Sequence, residues 1–160
     1  AVFADVETIR SALKGYESAC GIGAINTPSN TVVSGRREAV SAVLKRLQSD
    51  GITGQELTVS HAFHSPLMEP MLDSFAAVAS EIHYNFPEIS LISNLNGRIA
   101  GPEIADADYW SRHIRQPVNF AESITTLLQS GFQTFLEVGP SASLIGMILS
   151  LYPSPKLFEN

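Results

Sequence analysis

The sequence predicts a two-part chain: a small α+β unit over residues 1–59, followed over 60–160 by part of an α/β core built on a parallel sheet. Three observations lead there. The first 59 residues order their periodicities as strand, helix, strand, strand, helix, strand. Beyond residue 60, helical stripes alternate with short apolar runs, an order that makes strands parallel and covers them on both faces. The composition, 44% hydrophobic and 16% charged over 160 residues, fits a globular chain with a sizeable core.

Val2 and Phe3 lie in a short apolar run. Val6, Ile9, Ala12 and Leu13 follow at helical spacing, and Gly15 is placed to stop that helix. A strand is expected from Gly21 to Asn26. Thr27-Pro28-Ser29-Asn30 then turns the chain, because proline fixes φ and Asn and Ser bond locally to backbone. Thr31 to Ser34 is short and β-branched, as a strand prefers. After Gly35, a helix carries Ala39, Val40, Val43, Leu44 and Leu47 on one face and ends at Asp50-Gly51. A last strand is expected over Gln55 to Val59. The order β-α-β-β-α-β is the split pattern of a ferredoxin-like unit.

In the second part, Leu67, Met71, Phe75, Val78 and Ile82 trace one helical stripe, expected to pack in the core; Met68 sits beside it. Ile89 to Ser93 reads as a buried strand and Asn94-Leu95-Asn96-Gly97 as a turn. Asp106-Ala107-Asp108 puts carboxylates at a helix start carrying Tyr109 and Trp110, with Trp110 expected as a core anchor. Pro117 ends that helix. Phe120, Ile124, Leu127 and Leu128 form another helix, stopped at Gly131. A strand over Thr134 to Val138, a turn at Gly139-Pro140, a cap at Ser141 and an apolar helix from Leu144 to Leu151 complete the order. The tail with Pro153 and Pro155 is expected to fray.

A net charge of −6 argues against nucleic acid, whose partners present a basic face. No apolar run approaches the roughly 20 residues of a membrane span, and no leader with a charged start and apolar core is read. Cys20 is alone, which rules out an internal disulfide and suits a reducing cytoplasm; its expected place is the core.

The remaining signal is Ser60-His61-Ala62-Phe63-His64-Ser65-Pro66, two histidines in a polar break between a predicted strand and a long helix. An imidazole there, with an ordinary pKa of about 6.5, can move a proton at neutral pH. In order along the chain stand Asn26-Thr27-Pro28 with Val32-Val33-Ser34-Gly35, then the histidine stretch. Tyr109-Trp110 with Arg115-Gln116-Pro117-Val118-Asn119-Phe120 comes next, and Glu137-Val138-Gly139-Pro140 last. In order and spacing these blocks resemble acyltransferase domains of polyketide synthases, relatives of malonyl-CoA:acyl-carrier-protein transacylase.

The resemblance implies a ferredoxin-like small subdomain over 1–59 and the C-terminal part of a hydrolase-like parallel-sheet core over 60–160. It implies acyl transfer from malonyl-CoA to the phosphopantetheine thiol of an acyl carrier protein, in a cytoplasmic synthase with an adjacent ketosynthase domain and no bound cofactor or metal. Such transfer runs through a serine on a Gly-x-Ser-x-Gly elbow, and no glycine in this chain begins one. The nucleophile, and the arginine that holds the malonyl carboxylate, are therefore expected ahead of Ala1, with the chain alone inactive. By resemblance His64 is the catalytic base, His61 a cleft residue and Phe63 the ring that selects malonyl over methylmalonyl units. The backbone carbonyl of His113 is expected to orient the base. Asn26 is expected to face the same cleft or, equally, to form an Asx turn. His83 is expected at the surface. Two other functions stay open: a non-catalytic docking fragment for a carrier protein or neighbouring domain, and a hydrolase relative using the same kind of base.

Overall fold

The structure, a computed structural model, describes residues 1–152; the Pro153 and Pro155 tail lies outside the described residues. The first unit follows from its caps and turns. Helix α1, Val6–Ala12, starts where the Asp5 carboxylate accepts the N–H groups of Glu7 and Thr8 at 3.0 and 2.9 Å, satisfying two orphan donors. Strands β1 (Cys20–Thr27) and β2 (Asn30–Gly35) form an antiparallel hairpin. At Gly35, with φ 155°, a side chain would run into the backbone of Ala19 and Cys20. Helix α2, Arg37–Ser49, lays Ala39, Val43 and Leu47 onto Ile9, Leu13 and Cys20. Cys20 is a core residue, and burial pushes its thiol up, with Glu17 adding to the effect.

Val2 is the central rung. It bridges Thr31 on one side and Gly54 on the other, both antiparallel, so the backbone order runs Gly54, Val2, β2, β1. The strand expected over 55–59 does not form. Antiparallel pairing sets residue 55 against Ala1 through two short backbone bonds, 2.7 and 2.6 Å. Residues 55–61 are exposed.

The second part opens with a 3₁₀ turn, Pro66–Met68, capped by the Ser65 hydroxyl, and continues into α3, Glu69–Ser80. Strands β3 (Ile92–Ser93) and β4 (Arg98–Ile99) make a tight antiparallel pair turned at Gly97, whose φ of 68° suits glycine. Helix α4, Ala107–Arg115, is capped by Asp106, whose carboxylate accepts the Asp108 N–H at 2.8 Å. Tyr109 is its buried anchor, with its hydroxyl 2.8 Å from Ser93 Oγ. Trp110 is half-buried and donates to the Ile104 carbonyl at 3.0 Å. Helices α5 (Phe120–Gln129) and α6 (Ser143–Leu151) follow. The cap of α6 is not Ser141. The Glu137 carboxylate accepts the N–H groups of Leu144 and Ile145 at 3.0 and 2.9 Å, bonds that hold its carboxyl below the usual range.

The two parts are stitched in the middle of β1. Ile25 donates to the Val118 carbonyl at 2.8 Å and Val118 to the Gly23 carbonyl at 2.9 Å, giving a parallel bridge between Ala24 and Val118. This is the parallel pairing found among the described residues; the parallel sheet expected over 60–160 does not form within them. The run at 134–138 shows why. A strand satisfies its amides only against a neighbour, and this run has none among the described residues, leaving Leu136 87% and Val138 89% exposed. The helical stripe expected as core also differs. Helix α3 packs on α4, and Val78 and Ile82 stand 64% and 54% exposed. Among the described residues, no helix is long and apolar enough to cross a membrane.

Candidate functional site

The histidine stretch lies in the loop between the Gly54 bridge and the 3₁₀ turn. It forms one wall of an open groove of about 960 Å³. His61, Phe63, His64 and Leu67 line it from the loop; Val32, Ser34, Arg37 and Leu44 line it from the first unit. The site therefore sits at the junction of the two parts, where grooves commonly form.

His64 is half-buried and adopts φ 59°, the one described non-glycine residue in the left-handed region. Its Nδ1 lies 2.8 Å from the Gln116 carbonyl oxygen. A carbonyl only accepts, so Nδ1 carries the proton and donates, and Nε2 keeps a free lone pair. The imidazole thus stands in the tautomer a general base needs, on the wall of an open groove.

The orienting carbonyl was expected from His113 and belongs to Gln116 instead. Helix α4 ends at Arg115, and Gln116, preceding a proline, is forced out of the helical region to ψ 156°. Its carbonyl leaves the helix axis and turns toward the loop, whereas that of His113 still follows the axis. The signal was present in the sequence as Pro117. Ile114 supplies a second tie, accepting the His64 backbone N–H at 2.9 Å.

His113 does reach the site, through its ring. It lies edge-on to His64 at 5.8 Å between centroids, stacked on Tyr109 at 6.0 Å and tilted against Trp110 at 5.9 Å. Burial lowers its pKa, and the neighbouring His64 lowers it further. As pH falls, the unfolded chain protonates this position first, near the ordinary value of about 6.5. The stability contributed by a neutral His113 is therefore present above that value and lost as pH drops from there toward the lower folded value. We expect His113→Phe to flatten the acid side of the stability curve between pH 7 and 5, read by urea midpoints at each pH.

The other candidates divide. Phe63 is 52% exposed on the groove wall with its ring tilted against His61 at 5.9 Å. His61 is exposed, lines the groove and has Nδ1 3.0 Å from Ser60 Oγ. Asn26, expected to face the cleft or, equally, to form an Asx turn, is not among the lining residues. It sits at the hairpin end of β1, where its amide donates to Asn30 Oδ1 at 3.4 Å. Met68 is likewise off the groove, and His83 is exposed. Two contributions went unforeseen: the Gln116 carbonyl, and Ser34, whose hydroxyl donates to the Phe63 carbonyl at 2.6 Å from the first unit.

Comparison with known proteins supplies the remaining findings. The profile of the family described as acyl transferase domain matches residues 4–152. The mycoketide-CoA synthase of Mycobacterium tuberculosis (strain ATCC 25618 / H37Rv) is 49% identical over 132 residues, which is 82% of this chain and 3% of that protein. The acyltransferase domain from the second module of the salinomycin polyketide synthase superposes with a TM-score of 0.92 at 39% identity, covering 96% of this chain and 36% of that one. The malonyl CoA-acyl carrier protein transacylase of Burkholderia pseudomallei gives 0.82 at 28% identity, covering 95% and 54%. These neighbours are α/β folds with a small sheet subdomain, and this chain superposes on them over 96% and 95% of its length. The chain spans a small part of the synthase and from about a third to half of the solved structures.

Proposed function

The chain belongs to the acyl transferase domain family of polyketide synthases, and from that premise we propose that it is the base-carrying part of a malonyl-selecting acyltransferase. The observation that carries this reading is the Nδ1 contact of His64 with Gln116, which leaves Nε2 free beside an open groove.

In this reading Nε2 takes the proton of a serine hydroxyl supplied from outside residues 1–160. The serine oxygen attacks the malonyl thioester carbonyl and the carbon–sulfur bond breaks. His64 returns its proton to the leaving CoA sulfur. The carrier protein's phosphopantetheine thiol then attacks the serine ester with the same proton traffic reversed. Phe63 and His61 shape the acyl end of the groove. The parts divide at residues 59 and 60, and the four-rung order Gly54, Val2, β2, β1 supports a ferredoxin-like small unit. The setting is the cytoplasm, beside a ketosynthase domain, with malonyl-CoA and a carrier protein as partners and no bound cofactor. The malonyl CoA-acyl carrier protein transacylase among the structural neighbours favours those partners.

Intact-mass spectrometry after incubation with malonyl-CoA tests the assignment. The chain alone should gain no malonyl mass. The complete domain should gain one malonyl group on a serine outside these 160 residues and lose it to a carrier protein. A malonyl ester on a serine of this chain, or a complete domain that never loads, would overturn the assignment.

A further inference from the structure

We infer that Ser34 is a positioning residue for the base, acting from the small unit through the peptide group between Phe63 and His64. The inference rests on the reading of His64 as base.

Two of the site's hydrogen bonds belong to one peptide. Ser34 Oγ donates to the Phe63 carbonyl at 2.6 Å, and the His64 N–H donates to the Ile114 carbonyl at 2.9 Å. The carbonyl of residue 63 and the N–H of residue 64 are the two ends of the same planar unit. The bond is trans, so those ends point in opposite directions. The plane is therefore held from both sides, by β2 at one end and by α4 at the other.

What that clamp holds is strained. His64 sits at φ 59°, and a non-glycine residue persists there only when its surroundings over-determine it. Rotation of this peptide about its flanking Cα atoms would change φ at His64 and swing the ring off the Gln116 carbonyl. On the N-terminal side the loop offers little other restraint, because residues 55–61 are exposed; on the other side Ser65 is buried and its hydroxyl donates to the Ala62 carbonyl at 2.6 Å. The hairpin makes room for the clamp. A Cβ on Gly23 would lie 2.9 Å from that of Ser34, closer than side chains tolerate. Glycine at 23 lets the Ser34 side chain stand where its hydroxyl meets the loop.

The test uses the complete acyltransferase domain. Ser34→Ala should lower kcat for malonyl transfer by up to roughly tenfold with KM within twofold, the upper end of what one lost hydrogen bond gives. In ¹⁵N spectra the His64 imidazole should pass from one tautomer, protonated at Nδ1, to a mixture. Ser34→Thr, which keeps the hydroxyl on a strand-compatible side chain, should restore both. An alanine variant with unchanged kcat and tautomer overturns the inference. So does a fall in kcat without the spectral change, an effect confined to KM, or a threonine variant that restores nothing. The wild-type spectrum separates this from the parent reading: a single Nδ1-protonated form in a domain whose His64→Ala variant still transfers malonyl would sink the base assignment and leave the clamp standing.

Discussion

Replacing His64 with alanine in the complete domain should lower kcat for malonyl loading by about 10²–10⁴, the usual range for a positioned general base. The loss belongs to kcat because the imidazole acts on a proton in flight and contributes little to holding CoA. Loss of the Nδ1 bond to Gln116 and of a half-buried ring is a local change; the domain should keep its circular dichroism and a melting point within a few degrees. Stopped-flow release of CoA reads the first half-reaction directly. A variant that loads at the parent rate would mean that the serine takes its base from elsewhere, and the groove beside His64 would lose its catalytic meaning.

Phe63→Ser should raise the methylmalonyl-to-malonyl ratio of kcat/KM by about 10-fold or more. The ring stands on the groove wall one residue before His64, half in solvent, tilted against His61. Removing it opens volume beside the reacting carbonyl without exposing a core, so folding should be little affected. One methyl is worth roughly 1–3 kcal/mol in such a pocket, about 10–200-fold. The gain should come mainly from the methylmalonyl arm, since malonyl has no group to use the new space. Competition between the two thioesters, with products resolved by mass, gives the ratio in one tube; an unchanged ratio removes Phe63 from selectivity.

Local physics made much of this chain readable in advance. Asp106 caps the helix its position foretold, Gly15, Gly51 and Gly131 take the left-handed turns after helices, and the face Ala39, Val43, Leu47 is buried as its 3.6-residue period requires. His64 was visible because a short polar break and an ordered set of blocks carry it. What escaped depends on distant partners. The 134–138 run has a strand's composition, yet a strand exists only with a neighbour, which composition does not disclose. Ser34 touches a residue 29 positions away. Asn26 lay in a matching block but spends its amide across its own hairpin. His113 was placed by analogy of position, while the carbonyl in use follows from where Pro117 forces the helix to stop.

That last point bears on how this protein tolerates mutation. The atom that holds the His64 imidazole with its proton on Nδ1 is main chain, so every one of the other amino acids at position 116 still provides it. Alanine scanning across α4 would pass over it without a signal. Its vulnerability is one of spacing: inserting or deleting a residue between Arg112 and Pro117 shifts which oxygen meets the imidazole, and does so with no chemically notable side chain lost.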